Sequence, residues 1–124
     1  MSVRNPMEIH AVFEKAFNAG DLDGLAALYE KDAILAADTS RTVIGHTAIR
    51  EAFQGYLAMR PRMTLETLAA FESNGLALLH GRWSLQGTGP DGAEIHITGC
   101  SSEVLRRQPD GTWLYLIDNP FTPD

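Results

Sequence analysis

Two carboxylates close to the C-terminus, Glu103 and Asp118, are the residues whose placement could support chemistry. Asp118 lies in "WLYLIDNP", Trp113 to Pro120, at the inner end of the last hydrophobic stretch, and Glu103 lies on the stretch before it, across a Pro109-Asp110-Gly111 turn. With Pro109 and Asp110 as the two central residues of that turn, Gln108 pairs with Gly111. Glu103 then falls opposite Leu116 and Ser101 opposite Asp118. Strand side chains alternate with period two, so Ser101, Glu103 and Leu105 share a face with Leu114, Leu116 and Asp118. Two acids facing one dry cavity divide their protonation: burial and mutual repulsion raise one pKa and leave a proton donor beside a base. The arrangement is sensitive to register. One extra residue in the turn sets Ser102 beside Asp118 and sends the acids to opposite faces. Two structural fates also stay open: neutralisation by Arg82 or Arg106, or capping of the terminal "NPF" turn by Asp118 through backbone N–H groups.

Other reactive residue types are scattered. His10, His46, His80 and His96 lack close ligand spacing such as H-x-x-x-H, and Cys100 is the sole cysteine, so neither a metal site nor a cofactor is expected. Cys100, with no histidine near it in sequence, reads as a small packing residue rather than a nucleophile. "GTGPDG" is a hairpin loop, since no helix follows it to cradle a phosphate. Phe13, Phe17, Tyr29, Tyr56 and Trp83 are candidates for the wall of a ligand cavity, and equally for ordinary core packing.

The chain has 124 residues and a net charge of −6, with Lys and Arg dispersed rather than clustered. Its length suits one domain spanning residues 1–124 and a core needing neither disulfide nor metal. A phosphate-tracking basic face is missing, so nucleic acid is not an expected partner. No apolar run approaches the roughly 18 residues of a membrane span, and no charged leader precedes an apolar segment, so the expected location is the cytoplasm, with no membrane partner.

Elements that would position the acids are legible from periodicity. "NPMEIHAVFEKAFNAG" has Asn5 as cap, Pro6 at the first helical position, an apolar face of Ile9, Phe13, Ala16 and Phe17, and Gly20 as terminator. Asp21 caps a short second helix in "LDGLAALYEKD", with Leu25, Leu28 and Tyr29 on one side, and "AILAA" follows as a strand. "DTSRTVIG" reads as a loop with a few extended residues. Thr47 then caps "AIREAFQGYLAMR", whose Ile49, Ala52, Phe53, Tyr56 and Leu57 form a helical stripe ended by Pro61. Beyond it a meander is expected, with strands over 62–71, 76–86, 93–107 and 112–118. In the second of these Leu79, Trp83 and Leu85 face inward and His80 outward, while Gly99 in the third invites a bulge. Helices first and strands second indicate an α+β domain with helices packed on one face of a curved antiparallel sheet.

"AGDLDGLAALYEKDA", "IGHTAIREAF" and the closing "SSEVLRRQPDGTWLYLIDNP" resemble the ketosteroid-isomerase-like and polyketide-cyclase-like (SnoaL-like) branch of the nuclear-transport-factor-2-like superfamily, over nearly the whole chain. The resemblance implies a cystatin-like half-barrel: a cone-shaped sheet wrapped around three N-terminal helices, with a hydrophobic pocket at the open end and commonly a homodimer through the outer face of the sheet. Trp113, Tyr115 and Ile117, expected on that outer face, fit such a dimer. Steroid isomerisation itself does not carry over. The isomerase's first-helix tyrosine corresponds to Phe13, which has no proton to donate to an enolate oxygen. Its base falls near Ala37 and Asp38, so Asp38 could serve only with a loop shift of about one residue, and its second acid falls on Glu103. The expectation is a cofactor-free isomerase, cyclase or dehydratase acting on a hydrophobic small molecule. Asp118, Glu103 and Asp38 are its candidate catalytic residues, with Phe13, Phe17, Tyr29, Tyr56, Trp83, Ser101 and Leu116 as the binding wall. The alternative is a non-catalytic ligand-binding or dimerisation module of the same fold.

Overall fold

The computed structural model describes residues 2–123. A 3-10 turn, Pro6–Glu8, capped by Asn5, leads into α1 (Ile9–Asn18), which is followed by α2 (Leu22–Ala26), β1 (Tyr29–Asp38), β2 (Arg41–Ile44), α3 (His46–Leu57), β3 (Arg62–Ser73), β4 (Leu76–Thr88), β5 (Glu94–Arg107) and β6 (Trp113–Thr122). The strands form one six-stranded, curved, unclosed sheet in the order β2-β1-β6-β5-β4-β3, and the helices pack on its concave side. The architecture is the α+β half-barrel expected, with one exception to its antiparallel pairing: β1 runs parallel to β6.

Local signals account for most boundaries. Asp21 accepts from the backbone N–H of Gly24 (2.9 Å) and starts α2. That helix is shorter than its apolar spacing suggests, because Tyr29, Glu30 and Lys31 already belong to β1. "RTVI" of the expected loop pairs with β1 as a short hairpin. Gly45, at φ +89°, caps α3 in place of Thr47, so the helix begins one residue before the expected cap. The core joins Ile9, Phe13 and Phe17 of α1, Leu25 of α2, Tyr29 and Leu35 of β1, Ile49 and Phe53 of α3, Leu79 and Leu85 of β4, Leu105 of β5, and Trp113 and Tyr115 of β6. Among the described residues no helix is long and apolar enough to cross a membrane.

Between its turn and the two acids, the β5–β6 hairpin departs from the expected register twice. The turn holds one residue more: Gln108 N–H donates to Thr112 C=O (2.7 Å), enclosing Pro109, Asp110 and Gly111, the last at φ +86°, a conformation glycine adopts without cost. Alone, this would have put the acids on opposite faces. A bulge between Val104 and Leu105 on one side, and Tyr115 and Ile117 on the other, then inserts Leu116 as an extra residue, so that Glu103 pairs directly with Asp118. Two one-residue slips restore the original parity. They also turn Trp113 and Tyr115 into the core (3% and 1% exposed), against the expectation that both face outward. Asp118 does not end the strand either, since β6 continues through Asn119, Pro120 and Phe121 to Thr122.

No bulge occurs at Gly99, where β4 and β5 pair without interruption. Gly99 faces Trp83 across the ladder, and a Cβ there would lie 2.6 Å from the indole Cζ2. The glycine makes room for the ring.

Candidate active site

The inward faces of α1, α3 and the sheet enclose a cavity of about 80 Å³. Its walls are Phe13 and Phe17 of α1, Leu35 of β1, Phe53 and Tyr56 of α3, Met63 and Leu65 of β3, Trp83 and Leu85 of β4, and Phe121 of β6. Ser101, Glu103, Tyr115 and Asp118 supply its polar end. An engineered apolar cavity of about 150 Å³ accepts benzene. The space is therefore scaled to the head of a small molecule and well short of a steroid.

Glu103 and Asp118 stand directly opposite each other on β5 and β6, 3% and 6% exposed. Burial, and next the negative charge of Glu103, push the Asp118 carboxyl up to about 8, while a hydrogen bond from Tyr29 pulls the other way. At neutral pH Asp118 therefore holds a proton. Neither acid is neutralised by arginine: Arg106 is clamped to Glu30 (2.8 and 2.6 Å) and Arg82 leans on Glu66 (3.7 Å), both at the surface. Nor does Asp118 cap the chain end, where Asn119 Oδ1 accepts from Phe121 N–H instead.

Each acid has a different companion. The Tyr29 hydroxyl donates to Asp118 Oδ2. On the other side the buried His10 of α1 contacts Glu103, Nε2 to Oε1 at 3.0 Å, with Nδ1 2.7 Å from Thr67 Oγ1. An ionised carboxylate only accepts, so Nε2 carries the proton; in the neutral ring Nδ1 then accepts from the Thr67 hydroxyl. Two hydrogen-bonded segments thus flank the acid pair in the core: Tyr29 with Asp118 on one side, and Glu103 with His10 and the half-buried Thr67 on the other. Burial, then the neighbouring charges of Glu103 and Asp118, hold the Tyr115 hydroxyl well above its usual range, so it remains a proton donor at the cavity.

Of the residues singled out from sequence, Phe13, Phe17, Tyr56, Trp83, Ser101, Glu103 and Asp118 meet at this cavity. Tyr29 lies behind it, its ring tilted against that of Tyr115 with centroids 4.9 Å apart, and acts on Asp118 rather than on the cavity wall. Leu116 is displaced: as the extra residue of the bulge it does not line the cavity. Asp38 is displaced too. It sits exposed at the β1–β2 turn, accepting from Ser40 N–H (2.8 Å) and Oγ (2.9 Å) and flanked by Arg41, contacts that lower its pKa and keep it outside the cavity. Ala37 and not Asp38 is the inward residue at that end of β1, because the side chains alternate.

His10 is the residue that sequence reasoning passed over. Its signal was present: positions 10, 13 and 17 share one helical face, so a histidine on the Phe13–Phe17 stripe has to be buried and partnered. Among the described residues no group of His, Cys, Asp and Glu is arranged to hold a metal ion.

A curved half-barrel of this topology, with an apolar cavity ending in paired acids, defines a pocket-bearing α+β domain. A model of the SnoaL-like domain family matches residues 9–114, and the chain belongs to that family. Solved structures agree with the fold. A ketosteroid isomerase-like protein from Erwinia carotovora atroseptica superposes with TM-score 0.79 at 18% identity, covering 94% of this chain and 95% of that one. A nuclear-transport-factor-2-like protein with a cystatin-like fold from Novosphingobium aromaticivorans gives 0.80 at 17% identity, covering 95% and 79%. A candidate dehydratase of the nuclear-transport-factor-2-like family from Streptomyces avermitilis gives 0.75 at 15% identity, covering 88% and 87%. Identities this low carry the fold and not the reaction. None of the curated proteins matches the sequence.

Proposed function

We propose that this protein is a cofactor-independent acid–base catalyst acting on a small, largely apolar molecule, in the class of isomerases, cyclases and dehydratases. The observation that carries the reading is the pairing of two buried carboxylates with unlike companions at the polar end of an apolar cavity. Asp118, neutral near pH 7, is the proton donor. Glu103, the charged partner held by His10, is the acceptor. The Tyr115 hydroxyl is placed to donate to an oxygen on which negative charge develops, a task that Phe13 cannot perform. Two solved neighbours carry names that fit this class, one as ketosteroid isomerase-like and one as a candidate dehydratase.

The test is a screen of small ketones, enols and lactones for thermal stabilisation, followed by turnover assays on each hit. Asp118→Asn and Glu103→Gln should each lower turnover by about 10²–10⁴-fold with the fold intact. Equal turnover in both variants and the parent would sink the catalytic reading. A second reading, a ligand-binding module, is favoured by the small cavity and by the fact that His10 and Tyr29 already satisfy one oxygen of each acid. It predicts stabilisation by ligands without turnover.

We also propose a homodimer through the outer face of the sheet. Trp113 and Tyr115 do not contribute, but six residues in register do: Ile44, Ile34, Ile117, Val104, Leu78 and Phe71 lie opposite one another in one row across all six strands. Ile44, Ile117, Leu78 and Phe71 are 64%, 40%, 40% and 63% exposed. A continuous apolar row on an open face is what a second copy would cover.

A further inference from the structure

Ser101 sits on the inward face of β5, two residues from Glu103 and 3% exposed. Its Oγ is the buried side-chain oxygen with no hydrogen-bond partner among the described residues. Buried hydroxyls are almost always partnered, so an orphan among the lining residues of a cavity points to a group supplied from outside. The sheet is built around this hydroxyl. Its cross-strand neighbour is Gly81, where a Cβ would lie 2.6 Å from Ser101 Oγ and 3.1 Å from His10 Cε1. Any larger residue at 81 would press the serine out of place.

We propose that Ser101 anchors the oxygen of a compact, uncharged and otherwise apolar ligand, a small cyclic ketone or alcohol in chemical class. This rests on reading the cavity as a ligand site, and not on catalysis there. Charge selects the class. No Lys, Arg or His is among the lining residues, so an anion would meet Glu103 without a counter-charge, whereas a cation would compete with His10 for the same carboxylate. Shape agrees. The oxygens of Ser101, Glu103, Asp118 and Tyr115 lie among fully buried residues, while Met63, Ile97 and Phe121 form a partly exposed apolar rim. A ligand therefore enters oxygen first, and about 80 Å³ limits the enclosed part to little more than a small ring.

The experiment is an NMR titration of the whole chain with cyclopentanone, cyclopentanol, cyclopentane, cyclopentylamine and cyclopentanecarboxylate, on the parent and on Ser101→Ala. The ketone or alcohol should bind at least about 5-fold more tightly than cyclopentane, and Ser101→Ala should remove most of that preference while leaving the cyclopentane affinity unchanged. Because the hydroxyl has no partner among the described residues, the free variant should melt at the parent's temperature or above it. The proposal is overturned by any of four results: an unchanged preference in Ser101→Ala, tightest binding of the amine or the carboxylate, no binding by any probe, or a variant whose melting temperature falls by several degrees. Binding needs no turnover, so a failed Asp118→Asn assay would leave this result standing, and loss of the Ser101 preference would leave the acid pair untouched.

Discussion

Glu103 and Asp118 differ by one methylene group, and their roles are separated only by what touches them. Burial and the neighbouring Glu103 charge outweigh the hydrogen bond from Tyr29 and leave Asp118 as the member that keeps the proton. This has a thermodynamic consequence. The Asp118 pKa is raised in the folded protein above its unfolded value near 4, so between about pH 4 and 8 the native state holds a proton that the unfolded chain has released. This group's contribution is thus complete below pH 4 and is lost as pH rises to 8, at a rate on the order of 1 kcal/mol per pH unit. Urea unfolding across that range should show stability falling for the parent, and a flatter profile for Asp118→Asn. His10 is a positioning residue. His10→Ala leaves the Glu103 charge buried without its donor and should cost about 3 kcal/mol in the same measurement, whereas Thr67→Val, which strips only the second contact of the imidazole, should cost about 1 kcal/mol.

At the scale of elements the β5–β6 hairpin decides the site. Helical stripes, caps and turn residues made the order of helices and strands readable, because each is a local property of adjacent residues. The acid pair was readable only in outcome. Its geometry depends on a three-residue turn and on the bulge at Leu116, and the bulge has no local signature in "WLYLIDNP" because it answers packing of Tyr115 against Tyr29 and Phe13 from distant elements. Asp38 was misplaced for a related reason: only the β1–β2 pairing reveals that Ala37, one residue earlier, takes the inward position. Gly99, read as a bulge, proves to be a seat for Trp83, whose indole N–H donates to Pro120 C=O (2.7 Å) and ties β4 to the end of β6. Gly99→Ala would drive a methyl group into that ring. It should lower stability by about 1–3 kcal/mol, visible in thermal unfolding, and disturb the Trp83 fluorescence at the cavity wall.

For the whole molecule, concave and convex faces of one sheet carry separate tasks: the inner face closes over the acids, and the outer one presents the apolar row from Ile44 to Phe71. Ile117→Lys, placed mid-row and away from the core, should convert a micromolar dimer to a monomer in sedimentation velocity while leaving ligand binding in place. A parent protein that sediments as a monomer would refute the pairing. The acid pair itself is most directly tested by carbon-13 NMR of the Asp118 side-chain carboxyl over a pH series. The account predicts a titration near pH 8 in the parent, moving downward in Glu103→Gln as the neighbouring charge disappears. A carboxyl that titrates near pH 4 with the surface aspartates, and ignores that substitution, would contradict it.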